Sequence, residues 1–329
     1  MDKRKIEYEL NKTLKEFSKN IIAFCQNYAN AYVDDDPICS IQYLKKVLII
    51  SGGAIASLYL NEEVNDYDIY SRDENLIESV RDCVIKHINS SQHTNFRYSK
   101  KLNKFYRCLN LEKDIDNDEY ENEEIEFYEV ISVPEIIKRN MINRADIDDD
   151  EDDYNEDEIK GVIAGLLTKP FEPLYITVNA ISFTQGYQLI TRFFGEPEEI
   201  LSNFDFIPVK NYFDFERGKL ILNDNALNSL LTKTLYYDGT KFPICSIFRM
   251  KKYLLKGWKI STTEIFKMCY QISELDLKDI EILKEQLIGV STTFFLKFLL
   301  KLNKIKYPSM NDIINIIDET YEDFKVETD

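Results

Sequence analysis

Apolar residues recur at helical spacing from the start of the chain. Ile6, Leu10, Leu14, Phe17, Ile21 and Phe24 predict one amphipathic helix within residues 3–32. Asp34-Asp35-Asp36-Pro37 closes it, because proline disfavours helix in the residue before it. The pattern then shortens. Val47 to Ile50 reads as a buried strand, Ala54 to Leu60 as a short helix, and Val64 to Tyr70 as a second strand. Asp73 to Ile88 returns to helical spacing, with Ser71 or Asp73 as its cap.

Beyond residue 95 the pattern thins. Phe96–Tyr98, Phe105–Leu109 and Ile125–Ile131 are strand candidates. Ile176–Phe183 and Tyr187–Phe194 read as two strands joined at Thr184-Gln185-Gly186, a hairpin signal. A short helix starts at Gly195-Glu196-Pro197, and Asn203–Ile207 reads as a further strand. From Leu220 the pattern is helical, with breaks at Pro243, Gly257 and Pro308. The expected organisation is an N-terminal helix over 1–36, a mixed α and β region over 37–218, and a helical C-terminal region over 219–329.

Charge changes this picture in the middle of the chain. The net charge is −17. Residues 114–126 hold 8 acids and residues 146–158 hold 10, with no base in either run. Such density repels itself and buries nothing, so both runs, at about 113–126 and 146–158, read as solvated insertions. The first begins like a calcium loop with Asp114, Asp116 and Asp118. It has Glu119 where glycine is needed and Ile125 where glutamate is needed, so it is not one. Outside the two runs the chain sums to +1. Residues 241–310 hold 13 Lys and Arg against 6 Asp and Glu. That basic stretch fits either a polyanion partner or a lysine-rich solvated helix face.

Composition excludes several classes. No run nears the roughly 20 apolar residues of a membrane span. The N-terminal Met-Asp-Lys-Arg-Lys opens a polar helix and lacks a secretory core, so an intracellular protein is expected, in the host cytoplasm if the source is viral. The six cysteines form no CxxC pair, and only His87 and His93 could join them. Zinc modules and disulfide scaffolds are therefore not expected.

The candidate chemistry lies between residues 47 and 70. The first strand ends in Ser51-Gly52-Gly53, and the second carries Asp66-Tyr67-Asp68. Residues i and i+2 of a strand share a face, so the two carboxylates point together and Tyr67 points away. Two ionised carboxylates side by side repel and lose hydration. A divalent ion such as Mg²⁺ relieves both, taking one or two carboxylates and filling its remaining places with water and phosphate oxygens. Glycines without a Cβ let a phosphate near the backbone, and the free N–H groups of a following helix would face it. Each half alone has a bland account, a strand-to-helix turn or a solvated strand end. The combination is more specific.

Ser51-Gly52-Gly53 with Asp66-Tyr67-Asp68 resembles the signature of the DNA polymerase beta-like nucleotidyltransferase superfamily. Gln188 to Pro197, Asn203 to Phe206, and Pro243 to Gly257 are similar to nucleotidyltransferase-like proteins of phages and large DNA viruses. The resemblance implies an α+β fold: a nucleotidyltransferase-type palm with a mixed β-sheet flanked by helices, plus a helical C-terminal domain. It implies transfer of a nucleoside monophosphate from an NTP such as ATP to an acceptor hydroxyl, an RNA 3′ end among the acceptors, with Mg²⁺ or Mn²⁺. The family supplies a third carboxylate from a later strand. Asp205, between Phe204 and Phe206, is the candidate, with Glu124 and Glu126 as rivals. Catalysis and metal binding would then fall to Asp66, Asp68 and Asp205. Nucleotide binding would fall to Ser51, Gly52, Gly53, Arg192, Arg249 and Lys252, the last two sharing a helix face at a spacing of three. The alternatives are a non-catalytic nucleic-acid-binding or virion-associated protein on the same framework, and an enzyme that adds a nucleotide to a protein.

Overall fold

The structure, a computed structural model, describes residues 2–28, 40–108, 125–128, 130–132, 170–287, 290, 298, 301–302, 304–305 and 308–325. Both acidic runs fall outside these residues, apart from Ile125 and Glu126. Glu124 falls outside them as well. The described chain forms an α+β fold of two compact units. The first comprises residues 1–201 and 211–222. The second comprises 202–210 and 223–329. The N-terminal helix belongs to the first unit.

In the first unit, α1 (Lys3–Gln26) is capped by Asp2, whose carboxylate accepts from Arg4 N. Its six periodic apolar residues are all buried, each worth about 1.5–3 kcal/mol relative to exposure. After α2 (Ile41–Val47) comes the site-bearing run: β1 (Leu48–Ser51), α3 (Gly53–Leu60) and β2 (Tyr67–Ser71). Helix α4 (Glu74–Gln92) is capped by Asp73. Strands β3 (Phe96–Ser99), β4 (Lys104–Cys108) and β5 (Ile125–Tyr128) make a three-stranded sheet.

The main sheet adds β6 (Val130–Ser132), β7 (Pro173–Thr177), β8 (Ala180–Phe183), β9 (Tyr187–Ile190), β10 (Tyr212–Asp214) and β11 (Lys219–Ile221). Its eight strands run β11-β10-β1-β2-β9-β8-β7-β6, and only the β2–β9 pair is parallel. One row of paired residues crosses it: Phe213, Ile50, Ile69, Leu189, Ile181, Ile176 and Ile131. All seven are buried in the core that α1 and α4 also line. Because side chains alternate along a strand, the neighbouring row faces the other way. That row is polar, and it contains Asp68.

Several expectations need correction. The second strand starts at Tyr67 rather than Val64 and leaves Asp66 just outside it, Ile125–Ile131 divides between β5 and β6 of different sheets, and Leu220 lies on β11 rather than in a helix. Ile176–Phe183 is not one strand. The Thr177 hydroxyl accepts from Asn179 N and Ala180 N, and this local turn splits the run into β7 and β8. Asn203–Ile207 is not a strand either. Phe206 makes a single bridge to Tyr237, and a 3₁₀ turn begins at Ile207. Pro208 has no N–H to donate to a ladder.

The second unit is mainly helical among its described residues. It holds α6 (Asp224–Thr232), α7 (Pro243–Leu255), α8 (Thr262–Ser273), α9 (Ile280–Leu287) and α10 (Met310–Lys325). A parallel pair, β12 (Thr234–Leu235) with β13 (Lys259–Ile260), joins them. The short helix α5 (Pro197–Ser202) ends at the division. Among the described residues no helix is long and apolar enough to cross a membrane.

Candidate functional site

The polar row is built by register. Asp68 pairs with Gln188 on β9, Gln188 pairs with Ser182 on β8, and Ser51 pairs with Tyr212 on β10. Asp68 is half-buried on β2. Asp66 is exposed and immediately precedes that strand. Tyr67 lies on the core side, its ring centroid 6.4 Å from that of Tyr187. The Gln188 side-chain amide donates to Asp66 Oδ2 at 3.1 Å.

Gly52 closes one side of the carboxylate pair. Its φ of 88° and ψ of −148° belong to a region open essentially to glycine alone. A Cβ built there would lie 3.2 Å from Asp68 Oδ2. The missing side chain is therefore what lets the backbone run beside this carboxylate. Gly53 starts α3 and has nothing within 4 Å of a built Cβ. No side chain caps the start of α3. Gly186, at φ 75°, supports the other side: a Cβ there would meet the Asn65 carbonyl oxygen at 3.0 Å. The β8–β9 turn thus packs against the segment that carries Asp66.

The structure brings Gly52, Asp66 and Asp68 together and adds Gln188, which sequence reasoning did not single out. Its signal was register: only the β2–β9 pairing shows that it stands beside Asp68. Ser51 is fully buried, and its hydroxyl donates to the Asn211 carbonyl at 2.6 Å. It joins β1 to the start of β10 and has no proton left for a phosphate. Arg192 donates to Asn179 Oδ1 at 2.9 Å, bracing the turn between β7 and β8.

Asp205, Arg249 and Lys252 belong to the second unit. Asp205 is buried, and its Oδ2 accepts from the Ser246 hydroxyl and from Arg249 Nη1, each at 2.8 Å. This ties the 202–210 segment to α7. Lys252 lies on the same helix and is exposed.

Two carboxylates, Asp68 on β2 and Asp66 just before it, beside a backbone left open by Gly52, are a donor set that fits one hard divalent cation. Among the described residues no three His, Cys, Asp or Glu side chains cluster as a metal site.

A protein-family model described as Gad2, Gabija anti-defense 2 family protein, matches residues 16–233. A curated protein of Bacillus phage SPbetaL7, Gabija anti-defense 2, is 23% identical over 269 residues, covering 81% of this chain and 47% of its own length. The chain thus spans about half the length of that relative. Among solved structures, a tRNA-processing enzyme with CTP is similar at 12% identity and a TM-score of 0.32, over 85% of this chain and 54% of its own. The Thermotoga maritima CCA-adding enzyme complexed with tRNA is similar at 10% identity and 0.33, over 92% and 54%. A tRNA nucleotidyltransferase complexed with a primer tRNA and an incoming ATP analog is similar at 13% and 0.33, over 85% and 58%. These likenesses are loose.

Proposed function

The chain belongs to the Gabija anti-defense 2 family, and from that premise we propose that it is a phage anti-defense protein that works as a nucleotidyltransferase. It moves a nucleoside monophosphate from an NTP to an acceptor hydroxyl on a component of the defended host, in the host cytoplasm. One observation carries this reading: Gln188 pairs with Asp68 on β2 and donates to Asp66 just before it, and the Cβ-free backbone of Gly52 lies directly against Asp68 Oδ2.

In this reading Asp66 and Asp68 would hold Mg²⁺ or Mn²⁺. When bound, the ion neutralises triphosphate charge and polarises the phosphoryl oxygens. The rest of the work falls to the protein. Gly52 leaves room for the triphosphate, and the uncapped N–H groups at the start of α3 donate to it. Gln188 holds the Asp66 carboxylate in one orientation. The acceptor oxygen forms a bond to the α-phosphorus, the bond from that phosphorus to the bridging oxygen breaks, pyrophosphate leaves, and the hydroxyl proton passes to solvent. Asp205 is not enlisted, because Ser246 and Arg249 already hold its carboxylate. The basic stretch over residues 241–310, with 13 Lys and Arg against 6 Asp and Glu, supports a nucleic-acid acceptor such as an RNA 3′ end. The anti-defense family supports a protein acceptor equally.

The test incubates the protein with each α-³²P-labelled NTP, Mg²⁺ or Mn²⁺, host RNA and host protein, beside the variant carrying Asp66→Ala and Asp68→Ala. Label should enter RNA or protein with the wild type. It should fall by about 10³-fold or more in the variant, as loss of several kcal/mol of transition-state stabilisation requires. Phage plating on hosts carrying Gabija should fall in parallel. A double variant that labels and protects phage as well as the wild type would sink the catalytic reading. Protection without labelling would favour a binding protein on the same framework.

A further inference from the structure

We infer that the second unit carries a site for an unpaired base of a single-stranded nucleic acid, with Phe266 and Tyr270 of α8 as its stacking wall. Both residues belong to that unit, and their role stands whether or not the first unit transfers nucleotides.

Two large aromatic side chains are left in water on one helix face. Phe266 is 69% exposed and Tyr270 60%, and a spacing of four sets them one turn apart on the same side of α8. Apolar residues exposed singly need no account, whereas adjacent exposed rings mark a binding surface. Beside them opens a cavity of about 440 Å³, inside the roughly 300–1,000 Å³ range of small-ligand sites. Gln271, Asp238 and Lys267 give it polar edges. Gln271 Oε1 accepts from Tyr237 OH at 2.5 Å and from Thr240 N at 3.4 Å, which leaves the amide nitrogen of this side chain as the donor for a base edge.

The charges at the cavity are matched in pairs. Lys267 Nζ lies 3.0 and 3.1 Å from the two carboxylate oxygens of Glu264, and Lys210 Nζ lies 2.5 Å from Asp238 Oδ2. A recess with aromatic walls and balanced charge suits a base better than a phosphate. Phosphates find their partners on the neighbouring elements. Helix α8 packs against α7, and residues 241–260, which include α7 and β13, hold 6 Lys and Arg and no acid. Lys252 and Lys259 of that run are exposed. Exposed rings beside a cationic track hold single strands through base stacking and phosphate charge. A polyanion answers both the rings and the cations, whereas an apolar protein face would answer only the rings.

The experiment follows fluorescence anisotropy of labelled strands of about 12 nucleotides as the full chain is added, with no NTP and no turnover. The probes are a mixed-sequence RNA, the DNA of the same sequence, and an abasic strand of equal length. Wild type should bind the RNA, the DNA or both, and which of them it binds names the source. The double variant Phe266→Ala, Tyr270→Ala should bind the base-bearing strand about tenfold or more weakly, with the salt dependence unchanged, and should lose nothing on the abasic strand. Leu231→Ala, which truncates an apolar side chain of similar exposure on α6, should bind as wild type does. Lys252→Gln with Lys259→Gln should weaken base-bearing and abasic strands alike and lower the salt dependence. The aromatic pair is exposed, so circular dichroism and Tm should match wild type. Absence of single-strand binding by the wild type would overturn the inference, even if the same face proved to hold a protein. So would a double aromatic variant that binds the base-bearing strand as tightly as wild type, or one that loses as much on the abasic strand.

Discussion

Replacing Gly52 with alanine tests the site and the fold in one step. The native backbone there has φ 88° and ψ −148°. An L side chain held in such a conformation costs about 1–3 kcal/mol. The new Cβ would also sit 3.2 Å from Asp68 Oδ2, tighter than ordinary contact, so the carboxylate must give way by a few tenths of an ångström. For a body of this size the strain corresponds to a drop in Tm of about 2–10 °C. Nucleotide incorporation should fall further than stability alone explains, by about tenfold or more, because small misplacements of a reacting group carry large rate penalties. Gly53→Ala is the internal control. Gly53 is exposed, starts a helix and has nothing within 4 Å of a built Cβ, so alanine should be neutral or stabilise by about 0.4–1 kcal/mol. Calorimetry and the labelled-NTP assay on both variants decide the matter. If Gly52→Ala melts and labels like Gly53→Ala, the close approach of backbone to carboxylate is not what this glycine is for.

The other predictions concern the frame around the site. Gly186→Ala should lower Tm and displace Asp66, because a Cβ at φ 75° would lie 3.0 Å from the Asn65 carbonyl; equal Tm and equal Mn²⁺ affinity would refute that support. Asp205→Ala should destabilise the second unit by about 1–3 kcal/mol in urea melts, since it removes an acceptor from the buried Ser246 hydroxyl and from half-exposed Arg249, while Asp205→Asn should keep incorporation within a few-fold. Burial holds His87 below its ordinary value of 6.5, with Tyr28 OH 2.6 Å from its Nδ1. A lowered folded value contributes stability above 6.5 that is lost as pH falls, so melting between pH 7 and 5 should show a slope that His87→Phe removes. The hydrogen bond from Tyr43, at 2.5 Å, holds the Asp73 carboxyl below its ordinary 3.8. Stability present above that value is lost as pH falls through the folded value, and Tyr43→Phe should flatten this acid limb.

Much of the frame was legible in the sequence because it is local. The spacing of Ile6 to Phe24 gave α1, the apolar run before Ser51 gave β1, and Asp73 gave the cap of α4. Asp68 was legible as a strand residue for the same reason, whereas Asp66, read onto that strand, lies just before it. What escaped depended on pairing or on competing turn chemistry. Val178 and Asn179 sit inside an apolar run, yet the Thr177 hydroxyl turns the chain there. Asp205 between two phenylalanines has the alternation of a strand, but Pro208 ends the run, and the acid finds Ser246 and Arg249 some 40 residues on. Gln188 carries no charge and no motif. Its place beside Asp68 follows only from a parallel register.

The strand order also sets a schedule for biosynthesis. Strand β1 needs β10 on its far edge, and the Ser51 hydroxyl reaches Asn211, which lies 160 residues later in the chain. At roughly 5–20 residues per second the ribosome delivers that partner about 10–30 s after β1 emerges. Throughout that interval the buried Leu48–Ser51 edge is an open ladder beside its apolar neighbours, the kind of edge that recruits other chains. A nascent or prematurely terminated chain that stops at residue 201 never receives β10 or β11 at all. Solubility of the product therefore depends on translation running through residue 222 before the exposed edge meets a second ribosome's product.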